Sequence, residues 1–144
     1  MLLTFRLFSD NVALDQLSHF FHLIFVGENI MCSILVIDDE TNILNLLQEA
    51  LTLFGHKVEV ANDGRKGIQK FDNGSFDIVI TDALMPELDG RGVVQHIRNC
   101  SKKSICIIGM SGTPWLLQDI DFDMILPKPF PLEELLGMVT KLNC

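Results

Sequence analysis

The sequence contains no apolar run near the ~20 residues that a membrane-spanning helix requires. Basic residues are scarce as well: 11 Lys and Arg stand against 19 Asp and Glu, a formal net charge of −8. That balance argues against non-specific nucleic-acid binding, which needs surplus cations to neutralise phosphates. It also disfavours an anionic membrane surface. Only five prolines and ten glycines interrupt a chain that is 48% hydrophobic, which argues against disorder. No good secretory signal opens the chain, because Asp10, Asp15 and Glu28 interrupt it and the apolar stretch Phe20 to Val26 is short. The four cysteines, Cys32, Cys100, Cys106 and Cys144, include no C-x-x-C pair and no histidine at zinc-ligand spacing. They are expected to be reduced structural thiols of a cytoplasmic protein. What is left is 144 residues, enough for one domain and little more.

From residue 33 onward, short β-rich runs alternate with helical patterns. Ser33 to Ile37 is apolar almost throughout, as a strand buried on both faces should be. Thr41 to Phe54 carries Ile43, Leu44, Leu46, Leu47, Leu51 and Phe54 at helical spacing, with Asp39 or Thr41 as candidate cap and Gly55 as a left-handed end. Val58 to Ala61 reads as a strand, Asp63-Gly64 as a turn, and Arg65 to Phe71 as a helix. Phe76 to Thr81 is a third strand, and Leu88 to Asn99 a helix with Val93, Val94 and Ile97 inward. Ser104 to Met110 and Met124 to Leu126 are the last strands, and Leu132 to Leu142 is a helix begun by Pro131. This alternation predicts an α/β fold, a doubly wound parallel sheet of five strands in the flavodoxin-like order 2-1-3-4-5. Ligands in that architecture bind beyond the carboxyl ends of the strands.

Chemistry-bearing residues stand at those ends. Asp38, Asp39 and Glu40 follow the first strand, Asp82 the third, Ser111 and Gly112 the fourth, and Lys128 and Pro129 the fifth. Carboxylates this close raise one another's pKa, and a hard divalent cation relieves the repulsion. A phosphoryl group on Asp82 would be held by Mg²⁺, by Lys128 and by the Ser111 hydroxyl. Phosphoryl transfer is mostly positioning and charge neutralisation, and a carboxylate is a competent nucleophile for it. Taken singly, these residues would read as a helix cap, a loop carboxylate, a turn hydroxyl and a solvated surface charge. Four strand ends each carrying the required type would make that four coincidences.

Residues 33–142 resemble the receiver domain of two-component response regulators. The segments that carry the resemblance are Ile34-Leu35-Val36-Ile37-Asp38-Asp39-Glu40, Asp77-Ile78-Val79-Ile80-Thr81-Asp82-Ala83-Leu84-Met85-Pro86 with Asp89-Gly90, and Leu126-Pro127-Lys128-Pro129-Phe130. The resemblance implies that Asp82 is the phosphoacceptor. It implies that Asp39, Asp82 and the backbone carbonyl of Leu84 ligate Mg²⁺, with Asp38 acting largely through water. Lys128 would pair with Asp82 or its phosphoryl oxygen, and Lys128-Pro129 would be a cis peptide. Gly112 would leave access to the phosphoryl group, and Leu84 and Thr113 would tune water access.

Two departures from the family pattern stand out. Ile125 occupies the position where the family places the aromatic rotamer switch, three residues before the lysine, and Phe122 is the nearest substitute. Seventeen positions separate Ser111 from Lys128, and Gly112, Pro114, Asp119, Asp121 and Asp123 fall among them. An average helix alone takes about 11–12 residues. The fourth crossover helix is therefore expected to be short or replaced by a loop, with Trp115 to Ile120 the only helical candidate. The surface of the fourth helix, fifth strand and last helix commonly contacts partners in the family, so this chain is expected to signal through a different surface or to stay in one state.

Residues 1–32 lie outside the resemblance and 33–144 form the receiver. Met31 stands where a receiver chain typically begins, which makes an over-long start one reading. The other is an added helix from about Val12 to Val26, which would cover the surface left by the shortened helix or form a homodimer. The leading functional expectation is a stand-alone cytoplasmic receiver, since the last helix ends the sequence. It would take a phosphoryl group from a histidine kinase or histidine phosphotransfer protein and signal to an unknown downstream protein. It would assist its own phosphotransfer and dephosphorylation without being an enzyme. The alternative is a non-switching interaction module that keeps the acidic rim. A hydrolase of the haloacid dehalogenase type is disfavoured because Leu84 stands where its general acid belongs. Flavin binding is disfavoured because the acidic loop repels phosphate.

Overall fold

A computed structural model describes residues 30–100, 104–142 and 144. The chain divides at Ile30/Met31, and everything below concerns the unit from Met31 to Cys144. The helix expected between Val12 and Val26 lies outside the described residues. The elements run β1 (Ser33–Ile37), α1 (Thr41–Leu53), β2 (Lys57–Ala61), α2 (Gly64–Asn73), β3 (Ile78–Asp82), α3 (Gly90–Cys100), β4 (Cys106–Ser111), a 3-10 turn (Pro114–Leu116), β5 (Met124–Pro127) and α4 (Leu132–Lys141). The five strands are parallel, in the expected order β2-β1-β3-β4-β5.

The two central strands explain the apolar runs. Every residue of β3 is buried, and so are the last four of β1, because helices cover both faces of the sheet. One face packs Leu35, Ile37, Val79, Ile105 and Ile107 against Val93, Val94 and Ile97 of α3. The helix α1 buries Ile43, Leu44, Leu47 and Leu51, and α4 buries Leu135, Leu136 and Val139. No described helix is long and apolar enough to cross a membrane.

Neither Asp39 nor Thr41 caps α1, contrary to expectation. Glu40 is the N-cap, and its carbonyl accepts the amides of Ile43 and Leu44. The Glu40 amide is itself taken by Asp38 Oδ1 at 2.8 Å, so the site carboxylate shapes the helix start. Gly55 adopts φ +88 just past α1, as expected. Asp63 caps α2 by accepting the Lys66 amide at 2.7 Å. Pro131 stands at the N-cap of α4 rather than in its first turn, with Glu133 and Glu134 favourably placed at the dipole's positive end.

Two cysteines overturn the expectation of four reduced thiols. Cys32 and Cys144 form a disulfide across 112 positions of sequence, with Cα atoms 5.5 Å apart. Sequence spacing carries no sign of this, because the fold alone brings the residue before β1 beside the residue beyond α4. Cys100 and Cys106 are free thiols.

The β4–β5 crossover contains a three-residue 3-10 turn where a full helix would ordinarily stand. Phe122 and Ile120 pack against the apolar core in its place. Gly109 in β4 makes the room: a Cβ there would come within 2.8 Å of the Phe122 ring. Two arginines of α3, seven positions apart and so on one helix face, tie the crossover down. Arg91 Nη2 reaches both oxygens of Asp119, at 3.0 and 2.9 Å. Arg98 donates to the carbonyls of Ile105 and Asp121 and to Asp123 Oδ2, at 2.9, 2.9 and 2.7 Å.

Candidate functional site

Parallel register assembles the site. Ile37 of β1 lies beside Thr81 of β3, so Asp38 and Asp82 emerge next to each other. Asp82 pairs with Met110 and Ser111 with Pro127, which carries the row on to Lys128. Asp82 and Ser111 prove to be the last residues of their strands rather than the first beyond them. Their backbones are therefore held by the sheet ladder, which fixes the side chains more firmly than a loop would.

Asp38, Asp39 and Asp82 each offer an oxygen within 4.8 Å of the others. Asp38 is fully buried, Asp82 is buried and Asp39 is exposed. Lys128, its side chain only 8% exposed, places Nζ 3.3 Å from Asp38 Oδ2 and 3.4 Å from Asp82 Oδ1. The pairing with Asp38 was not expected. Its signal in the sequence is weak: Asp38 directly follows four buried strand residues, and a carboxylate so placed needs a cation.

Burial pushes Asp82 up to about 6; Lys128 opposes the shift, Asp38 adds to it, and the Leu84 amide opposes it by donating to the carboxylate. Asp38 is raised for the same first reason, with the Glu40 amide and Lys128 opposing. One ammonium thus serves two of the three carboxylates and leaves Asp39 without a cation from Lys128. This oxygen-only donor set, deficient in positive charge, suits a hard divalent cation such as Mg²⁺. Among the described residues no buried side-chain nitrogen or oxygen lacks a hydrogen-bond partner.

The Ser111 hydroxyl is buried and accepts the Thr113 amide at 3.0 Å, which folds the chain back beside the site. A Cβ on Gly112 would meet nothing within 4 Å, so the space at that residue is open. The Leu84 side chain is exposed beside the acidic rim. The Lys128-Pro129 bond is cis, as expected. Ile125 is half-buried in β5 and faces Gly109 in the register. The aromatic ring near that place belongs to Phe122, and it is packed on Gly109.

A cavity of about 460 Å³ lies elsewhere, between α1 and α2 at the edge of β2, and includes none of these residues. Its two lysines are already engaged, Lys66 with Asn62 and Asp63, Lys70 with Glu59.

The profile of the response regulator receiver domain matches residues 34–140. A probable transcriptional regulator, ycf27 of Cyanidium caldarium, is 37% identical over 107 residues, covering 71% of this chain and 42% of that protein. The response regulator ArlR of Staphylococcus epidermidis is 31% identical over 112 residues, covering 76% of this chain and 51% of that protein. This chain spans about half the length of the curated relatives it matches. Among solved structures, the response regulator TrrA of Thermotoga maritima, in complex with Mg²⁺-BeF, is 36% identical with a TM-score of 0.71, covering 78% of this chain and 99% of that one. TrrA in complex with the histidine kinase ThkA is also similar, at 34% identity and a TM-score of 0.67, covering 79% of this chain and 100% of that one.

Proposed function

Since the chain belongs to the response regulator receiver domain family, we propose that it accepts a phosphoryl group on Asp82 and passes the signal on by protein contact. The observation that carries this is the convergence of Asp82, Asp38 and Asp39 within 4.8 Å, with Lys128 bridging two of them. The donor is a phosphohistidine of a histidine kinase or histidine phosphotransfer protein. An Asp82 carboxylate oxygen attacks phosphorus, the P–N bond breaks, and the imidazole leaves with its electron pair.

The pKa of Asp82, near 6, leaves most of it ionised at pH 7 and ready to attack. The Lys128 ammonium, already between Asp38 and Asp82, neutralises charge on the transferred oxygens, and the Ser111 hydroxyl donates to one of them. Mg²⁺, held by Asp39, Asp82 and the Leu84 carbonyl with Asp38 acting through water, would neutralise the remaining phosphoryl charge. The protein assists its own phosphorylation and dephosphorylation without turning over a separate substrate. A cytoplasmic site of action and a downstream protein partner complete this reading.

The test is incubation of the full chain with acetyl phosphate and Mg²⁺, read by intact mass and peptide mapping. One added phosphoryl group on Asp82, absent in Asp82→Asn, is the expected result. No phosphorylation with several donors would overturn the reading and favour a non-switching interaction module, which Ile125 and the three-residue turn would suit.

A further inference from the structure

The disulfide joins two unlike positions. Cys32 is 2% exposed, just before β1, whereas Cys144 is exposed, beyond the end of α4. Between them run all the described strands and helices. The link fastens the far end of α4, a ten-residue helix that buries Leu135, Leu136 and Val139 against the domain. The near end of α4 is fixed by the segment that carries Lys128. Of the two remaining thiols, Cys106 competes poorly for the same partners. Burial, and then Asp123, push the Cys106 thiol up to about 11, which leaves almost no thiolate near pH 7.

We propose that Cys32 and Cys144 are a reversible redox modification site, closed by small-molecule disulfides of the glutathione type, that clasps α4 to the start of β1. The difference in exposure sets the order of steps. The Cys144 thiolate attacks one sulfur of oxidised glutathione, forming a mixed disulfide and releasing one glutathione thiolate. The Cys32 thiolate then displaces the second glutathione, and the protein disulfide closes. In sum, two protein thiols become one disulfide, and one oxidised glutathione becomes two reduced molecules. Opening runs in reverse, with glutathione attacking the accessible Cys144 sulfur and Cys32 leaving. Disulfides rarely persist in a reducing compartment, so a receiver working there would be opened and closed by the glutathione ratio. The proposal is independent of phosphorylation at Asp82.

The test uses the full chain equilibrated across ratios of oxidised to reduced glutathione, trapped by alkylation and mapped by mass spectrometry. The expected result is a peptide joining residues 32 and 144 that grows with the oxidised fraction and disappears under reduced glutathione. Closing that bond should raise Tm by roughly 6–15 °C. Amide exchange in residues 132–142 should slow at least about tenfold, as local opening of the fastened helix becomes rarer. Cys144→Ser, at an exposed position that does not threaten folding, should lose all three responses. A Cys100→Ser, Cys106→Ser double variant should keep them. Failure to form the 32–144 bond in excess oxidised glutathione would overturn the proposal. So would a bond that reduced glutathione never opens, or one whose opening moves neither Tm nor exchange in α4.

Discussion

The ring of Phe122 fills the space where a side chain on Gly109 would begin, leaving 2.8 Å to that point. The ring therefore serves as filler for the helix that the crossover lacks. Gly109→Ala should push it out and destabilise the protein by about 1–3 kcal/mol, as overpacking does. Phe122→Ala should cost about 2 kcal/mol, less than a fully buried ring because the residue is half-exposed. Urea denaturation would measure both. If Phe122 acted as a rotamer switch instead, Phe122→Leu would abolish the response to phosphorylation while leaving stability nearly intact.

Asp82 is buried as an acid held near 6, against an ordinary value of 3.8. The folded protein therefore binds this proton more tightly than the unfolded chain. The stability linked to it is fully present below pH 3.8 and is lost as pH rises through 6. The loss amounts to roughly 3 kcal/mol for a shift of this size. Asp82→Asn removes the effect, so at pH 7 without divalent cations the variant should be the more stable by about 1–3 kcal/mol. The gap should close as pH is lowered from 7 to 4. Thermal melts of the two proteins across that range would show it, and an equal gap at every pH would refute it.

Mg²⁺ should act in the opposite sense. Binding to the folded site alone stabilises the wild type, by about 2.7 kcal/mol at a concentration one hundred times its Kd. Asp82→Asn should respond far less. Melts at pH 7 with and without Mg²⁺ decide it, and equal stabilisation of both proteins would place the ion elsewhere.

The two arginine ties of the crossover differ in strength. The Arg91–Asp119 pair is exposed on both sides and screened by solvent, so Arg91→Ala should leave the denaturation midpoint almost unchanged. Arg98 holds two carbonyls and Asp123 from a more buried position, and Arg98→Ala should cost about 1–3 kcal/mol. Denaturant midpoints would rank them. The same ties should confine movement on phosphorylation to the turn between Ser111 and Leu117. Trp115, the sole tryptophan and an exposed one, should then change its emission with acetyl phosphate and Mg²⁺, while amide exchange over residues 118–126 stays constant. Exchange changes spread across 118–126 would mean that the crossover moves as one piece.

The parallel sheet was legible in the sequence because its strands are short apolar runs separated by helical spacing, and both signals are local. The candidate site followed from it, since Asp38, Asp82, Ser111 and Lys128 stand at strand ends wherever the exact boundaries fall. The shortened crossover could be counted, but what replaced it could not. The packing of Phe122 on Gly109 and the reach of Arg98 to Asp123 are contacts between segments that no spacing rule connects. The cap of α1 is illegible for a similar reason: Asp38, buried beside Lys128, takes the Glu40 amide, and propensity knows nothing of burial.

Sequence alone thus determined the order of strands and helices, the acidic rim at the strand ends and the scarcity of positive charge along the chain. Tertiary structure alone decided the sharing of Lys128 between Asp38 and Asp82, the ties that hold the crossover, and the union of Cys32 with Cys144. Periodicity and residue type act over a few positions. A disulfide across 112 residues, or a lysine ninety positions from its carboxylate, exists only once the whole sheet has formed.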